Sequence, residues 1–320
     1  MGFLLLVVSA LLGITLGTTS LSISEIVESF KNGFSTAGGK IFLYVRLPRT
    51  AASLICGSAL AVSGAVIQGV IANRLASPSI IGVNSGAGLA VTLCTALGIY
   101  GGLRLSLFAF LGAFTAVMAV SLLARRIGAS RGTLILLGVA VNSFLNALSD
   151  SVVTFIPEVG VMSNDFKVGE FSSVTYSRLL PAAVLISLSI IILFTLTNEL
   201  DVLTLGEDNA RSLGMNTSLM RTLFLMLAAV LAGCAVSLAG LLSFVGLIVP
   251  HAVRRVAGSK ASRLLPLSAI FGGAFVCLCD TGARTLFSPY EIPVGIIMAF
   301  LGAPFFVFIL IKGKGGHTLA

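Results

Sequence analysis

The sequence predicts an all-α, polytopic membrane protein with about ten transmembrane helices, on three observations. The chain is 57% hydrophobic and 10% charged, with a mean hydropathy of +1.08. Soluble domains carry about 25% charged residues, so this much apolar surface points to lipid as the solvent. The apolar residues gather into ten runs, most of them near the roughly 20 residues that cross a bilayer as a helix. The basic residues, which give a formal charge of +8, sit in the short gaps between those runs. That placement fits a positive-inside bias and argues against nucleic-acid binding.

The runs are 2–18, 47–70, 80–100, 104–124, 133–155, 179–197, 219–243, 244–257, 265–287 and 293–311. The first opens Met-Gly-Phe-Leu-Leu, with no basic stretch ahead of it and no small-residue cleavage site, so it is expected to be a retained span. Residues 19–45 form a longer outer segment in which Ser24 to Glu28 predicts a short surface helix capped by Ser24. The second run is rich in small residues and closes in a turn bearing Asn73 and Pro78. Residues 156–178, with Pro157, Gly160, Gly169 and mixed charges, predict a second outer short helix or loop. The eighth run starts at Phe244, contains Pro250 and is too short for an independent span. A broken or partly re-entrant helix is expected there, buried by protein.

Ten spans leave both termini on one side. One set of gaps and tails holds Arg74, Arg125, Arg126, Arg131, Arg211, Arg221, Arg254, Arg255, Lys260, Arg263, Lys312 and Lys314. The other holds Lys31, Lys40, Arg46, Arg49, Arg104, Lys167, Arg178 and Arg284. The first set is larger by 12 to 8 and is expected to be cytoplasmic, with both termini. Gly57-x-Ala59-x4-Gly64 in the second run matches Gly233-x-Ala235-x4-Gly240 in the seventh, which predicts an inverted internal repeat.

Few residues offer chemistry. The five cysteines, Cys56, Cys94, Cys234, Cys277 and Cys279, all lie in apolar runs and read as small apolar fillers. Cys277-x-Cys279 has no His or third Cys near it in sequence, so no metal site is expected. There are two histidines, His251 and His317, and no nucleophile beside a base. The tail Lys312-Gly-Lys-Gly-Gly-His-Thr lacks the spacing of a phosphate-binding loop. No catalytic residue and no cofactor are expected on this chain; ATP and Mg, if used, belong to a partner.

Three segments stand out. Asn142, Asn146, Ser149 and Asp150 fall on one face of the fifth run, which predicts either interhelical hydrogen bonding or the lining of a pathway. Thr204-Leu205-Gly206-Glu207-Asp208-Asn-Ala210-Arg211-Ser-Leu213-Gly214 predicts a short cytoplasmic helix. Thr204 and Glu207 would form a capping box, with acids at its positive end, Arg211 in a later turn and Gly214 at C′. Such a rod is either a solvated connector or a knob that fits a partner's groove. Asp280 and Arg284, four apart, predict a structural ion pair in the ninth run.

Taken together, Arg46-Leu-Pro-Arg49, Gly57, Ser63-Gly64, Gln68, Asn73, Leu75-Ala76-x-Pro78, Gly82 and Ser85-Gly86 resemble the FecCD family of binding-protein-dependent permeases. So do Leu205-Gly206-Glu207, Ala210-Arg211-x-Leu213-Gly214, Ala239-Gly240-x3-Phe244, Pro250-His251, Arg254, Asp280, Arg284, Glu291-x-Pro293-x-Gly295 and Gly302-Ala-Pro304. The resemblance implies a type II ABC importer permease fold in the cell membrane, carrying a ferric siderophore, or alternatively haem or cobalamin. It implies a second permease subunit as a homodimer partner, two cytoplasmic ATPases and an extracytoplasmic substrate-binding protein. It also implies that Arg46, Arg49 and Arg284 receive the binding protein on the outer rim and that 204–214 couples to the ATPase. The fifth run would line the pathway, and Ser130, Arg131, Gly132 and Thr133 would lie at the inner gate. The chain departs from the family pattern in having no Trp, in Phe166-Lys-Val-Gly169-Glu170 where many members read Trp-x2-Gly-Ser, and in Arg74 where Pro is usual. An ion-coupled secondary transporter is the alternative from another class, with Asp150 and Asp280 as its only buried acids.

Overall fold

In the computed structural model, which describes residues 2–17 and 36–313, each of the ten apolar runs contains a helix and no strand occurs among the described residues. The main helices are α1 (Gly2–Thr15), α2 (Leu47–Ile71), α3 (Val83–Ala96), α4 (Gly102–Arg126), α5 (Arg131–Phe155) and α6 (Tyr176–Thr195). They continue as α7 (Thr197–Thr204), α8 (Glu207–Ser212), α9 (Thr217–Ala239), α10 (Val245–Ala257), α11 (Ala261–Thr285) and α12 (Val294–Gly313). The surface helix expected at Ser24 to Glu28 and the tail beyond 313, with His317, lie outside the described residues.

Among the described residues, six helices are long and apolar enough to cross a membrane: α4, α5, α6, α9, α11 and the continuous helix Ala37–Ile71 that contains α2. α1 and α3 have 14 residues each and α10 has 13. At 1.5 Å per residue these reach only about 21 Å, short of the roughly 30 Å hydrocarbon core. α10 behaves as its sequence suggests. It starts after Phe244, held at φ +67°, contains Pro250, and buries Val245, Leu247, Val249 and Val253.

α2 is the hub. It packs against α11, α9 and α10, and its residues from Ala59 to Ile71 are all buried. Small residues permit this. A Cβ added at Gly64 would sit 1.9 Å from the Gly246 carbonyl oxygen of α10, and one at Gly57 would sit 2.2 Å from that of Gly272 on α11. The backbones therefore touch where the side chains are absent. The matched glycine in the seventh run does something else. Gly240 ends α9 at φ +71°, and a Cβ there would lie 2.4 Å from the Phe166 carbonyl oxygen. Gly64 and Gly240 share a pattern in sequence but not a structural role.

Around the hub, α4 and α6 turn apolar side chains such as Leu107, Leu111, Val184, Leu188 and Ile191 outward, as a lipid-facing belt requires. The segment after α5 forms two short helices, Pro157–Met162 and Asn164–Val168. It is knitted to the core by backbone bonds: Leu241 N–H to Phe166 O at 2.8 Å, Glu170 N–H to Ala239 O at 2.8 Å, and Gly295 N–H to Gly169 O at 3.2 Å.

Candidate functional site

α5 differs from the other long helices: of its 25 residues only Leu134, Gly138 and Ser149 are buried. One face is anchored. The Asn142 amide nitrogen donates to Ser79 O at 3.0 Å and Ile80 O at 2.9 Å, and its oxygen accepts from Ser85 Oγ. Ser149 Oγ pairs with Thr92 Oγ1 of α3 at 2.9 Å. Gly138 lets α5 close on the Pro78–Ile81 turn, since a Cβ there would stand 2.3 Å from Ile80 O. Beside these anchors lies an open groove of about 500 Å³, lined by Ser79, Asn84, Ser85, Gly88, Asn142, Asn146, Ser149, Asp150, Lys167 and Leu241. The four polar residues singled out on the fifth run thus meet in one groove. Asn142 and Ser149 bond between helices, while Asn146 and Asp150 are exposed to the groove. Asn84 and Lys167 complete the lining and carried no sequence signal, because they arrive from other segments. The groove offers amides, hydroxyls, one carboxylate and one ammonium, and so can exchange hydrogen bonds with a polar solute without a dedicated ligand set.

At the N-terminal end of α5, Ser130 is the cap: its Oγ accepts from Thr133 N–H at 3.2 Å and pairs with Thr133 Oγ1 at 2.9 Å. Gly132 lies between them in open space, with only Ser130 Oγ, 3.9 Å away, near an added Cβ. Arg131 donates to Leu203 O at 2.8 Å, tying this turn to α7. The rod expected over 204–214 is shorter than its sequence suggested. α8 covers Glu207–Ser212, and its N-cap is Gly206 at φ +110°, not Thr204. The capping box does not form. Thr204 ends α7 and donates its hydroxyl to Asp201 O at 2.7 Å, while Leu205 and Gly206 break the helix. The remaining local features of the helix are as the sequence suggests. Glu207 and Asp208 occupy the first turn, Ala210 is buried and Arg211 faces Glu207 at 3.5 Å. Leu213 caps the end, and Gly214, at φ +83°, closes a Schellman motif with Met215 N–H to Ala210 O at 3.0 Å and Gly214 N–H to Arg211 O at 2.9 Å.

At Arg46, Arg49 and Arg284 the structure corrects the expected exposed rim. Arg46, Arg49 and Arg284 are 3%, 7% and 2% exposed, so their guanidiniums are held inside the fold. Asp280, fully buried, explains why. Arg49 donates to both of its carboxylate oxygens, with Nη2 at 3.0 Å, and Nη1 reaches Glu291 at 2.7 Å. Arg284 Nε lies 3.2 Å from the same carboxylate, the i,i+4 pair expected from sequence, and its Nη2 donates to Gly13 O of α1 at 3.1 Å. Arg46 donates to Leu16 O just past α1. Of the five charged groups only Glu291 reaches the surface appreciably, its side chain being 35% exposed.

Two further guanidiniums, each partly buried, hold helices together in ways the sequence did not reveal. Arg178, at the start of α6, donates to Ser106 Oγ at 2.7 Å and to the Ser237 and Leu238 carbonyls at 3.0 and 3.2 Å, so it caps the end of α9. Arg254 donates to Gln68 Oε1, while Gln68 Nε2 donates to Gly246 O at 3.0 Å, which locks α10 to α2. The signal for both was an arginine at a helix terminus, legible only once its partner group is known. All five cysteines are buried.

Comparison with known proteins places this geometry in context. The family model described as the FecCD transport family matches residues 5–312. The iron-uptake system permease protein FeuB of Bacillus subtilis is 35% identical over 97% of this chain and 93% of its own length. The hemin transport system permease protein HmuU of Yersinia pestis is 34% identical over 98% and 96%. Among solved structures, a metal-chelate type ABC transporter chain in an inward-facing conformation superposes with a TM-score of 0.86 at 32% identity, covering 97% of both chains. PsaBC of Streptococcus pneumoniae, at 16% identity and a TM-score of 0.62 over 90% and 95%, shares the fold.

Proposed function

The chain belongs to the FecCD transport family, and from that premise we propose that it is the permease of an ATP-driven, binding-protein-dependent importer carrying a ferric siderophore or a related metal chelate into the cytoplasm. The observation that carries this reading is the groove on α5. A long apolar helix with few buried residues turns a row of polar groups onto an open cleft, as a pathway wall does and a lipid-facing helix does not. The curated relatives include permeases named for iron uptake, hemin and iron(3+)-hydroxamate, which favours an iron chelate as cargo.

The same reading assigns the remaining parts. A second copy of the chain covers the exposed face of α5 and closes the pathway. ATP and Mg are used by two separate ATPase subunits on the cytoplasmic side, where α8 meets them. The extracytoplasmic binding protein delivers the cargo. Both termini are cytoplasmic, following the excess of basic residues on that side. Docking of the binding protein draws on the outer cluster from beneath the surface: three guanidiniums against two carboxylates leave one net positive charge, with Glu291 as the member solvent can reach.

Purified with its ATPases in nanodiscs, the permease is expected to bring about stimulated ATP hydrolysis when its loaded binding protein is added at low salt, and less so at high salt. Hydrolysis indifferent to the binding protein at either ionic strength would contradict the reading.

A further inference from the structure

α8 has six residues, too few to hold themselves as a helix, since nucleation costs what so short a ladder cannot return. Its position is set by what grips it. Three contacts do so: Ala210, buried against the bundle; Arg211, whose Nε donates to Thr217 Oγ1 of α9 at 3.3 Å; and Glu207. The Glu207 carboxylate takes a guanidinium nitrogen, Nη2, of Arg221, a residue one turn into α9. The other terminal nitrogen of Arg221, Nη1, donates to the Ala129 carbonyl at 3.2 Å. Ala129 directly precedes Ser130, the N-cap of α5. One planar group thus bridges the coupling helix and the first residues of the helix that lines the groove. Its side chain is 16% exposed and Glu207's 29%, so solvent screens the pair incompletely. Arg131 makes a second tie in the same place, from the start of α5 back to Leu203 at the end of α7.

Resting on the importer reading above, we propose that Arg221 is the positioning residue that passes movement of α8 to the inner end of α5. A guanidinium suits this task because its fork fixes two partners in one plane, whereas an ammonium is a single point charge. When an ATPase shifts α8, Glu207 carries Arg221, and Arg221 carries the Ala129–Ser130 turn on which α5 is capped. Loss of the fork leaves α8 able to meet the ATPase but disconnected from the groove.

The test uses the whole transporter with its ATPases. Asn146→Cys places a thiol in the groove, where a membrane-impermeant maleimide is the probe; the native cysteines are buried. In the otherwise native chain, ATP with vanadate changes the labelling rate about fivefold or more, the usual scale of coupling between sites. Arg221→Ala removes that change while ATP hydrolysis continues. Arg221→Lys, which keeps the charge and serves where the alanine variant fails to assemble, removes it as well. The exchange Glu207→Arg with Arg221→Glu restores an ion pair but supplies no donor for the Ala129 carbonyl, so it stays unresponsive. A nucleotide response that survives Arg221→Ala or Arg221→Lys, or that returns in the exchange variant, overturns the assignment. A native complex whose groove ignores nucleotide overturns the importer reading and this inference with it.

Discussion

Asp280→Asn is expected to abolish accumulation of folded protein in the membrane. The fully buried Asp280 carboxylate is shared by Arg49 and Arg284, which are themselves buried. Removing it leaves two guanidiniums facing each other in a medium that cannot solvate them. Breaking a buried ion pair by deleting one partner costs about 3–5 kcal/mol, and here two cations lose the same carboxylate at once. Glu291 relieves only Arg49, and from a half-exposed position. The loss is structural and extends across the neighbouring ends of α1, α2 and α11, because Arg284 also holds Gly13 and Arg46 holds Leu16. The check is the yield and thermal stability of detergent-purified protein. Glu291→Gln, which touches only the solvent-facing side of the cluster, should lower the melting temperature far less. Equal yields of native and Asp280→Asn protein would contradict this account of the cluster.

Gly64→Val is expected to be nearly as damaging, through shape instead of charge. A Cβ at that position would lie 1.9 Å from the Gly246 oxygen and 2.4 Å from its Cα, so the obstruction is backbone, not a side chain that can swing aside. Overpacking a filled interior costs roughly 1–3 kcal/mol even when side chains can adjust. Here α10 must back away from α2, and the Gln68 bond to the same carbonyl, with the Arg254 bond to Gln68, goes with it. Loss of folded protein, or a fall of the melting temperature by many degrees, is the expected result. Gly132→Val is the control, since an added Cβ there has only a serine hydroxyl near it. A Gly64→Val protein as stable as the control would show that the close approach does not matter.

What could be read from the sequence divides along the range of the forces involved. Apolar runs mark helices because a bilayer demands it of each segment separately, so all ten runs contain one. The polar face of α5 was legible because helical spacing alone brings Asn142, Asn146, Ser149 and Asp150 together. Gly214 was legible because a C′ glycine is a local requirement. Where the outcome depends on a distant partner, the sequence said less. Arg46, Arg49 and Arg284 look like surface arginines until the carboxylate of Asp280 draws two of them in. Thr204 reads as an N-cap three residues before a glutamate, but its hydroxyl takes the nearer Asp201 carbonyl, and Gly206, free to hold positive φ, starts α8 instead. Lys167 and Asn84 join the groove through packing that no local pattern encodes. Arg178 and Arg221 each serve two or more elements, a property no single segment reveals.

The central claim is that this chain is a conduit worked by other proteins. Liposomes that hold the permease alone, and liposomes that hold it with its ATPases, should be given the loaded binding protein outside and ATP inside, and the chelated iron retained in each should be counted. The account predicts accumulation against a gradient only where the ATPases are present, and none when ATP is replaced by a non-hydrolysable analogue. Concentrative uptake by the permease alone, driven by a proton or sodium gradient, would contradict it.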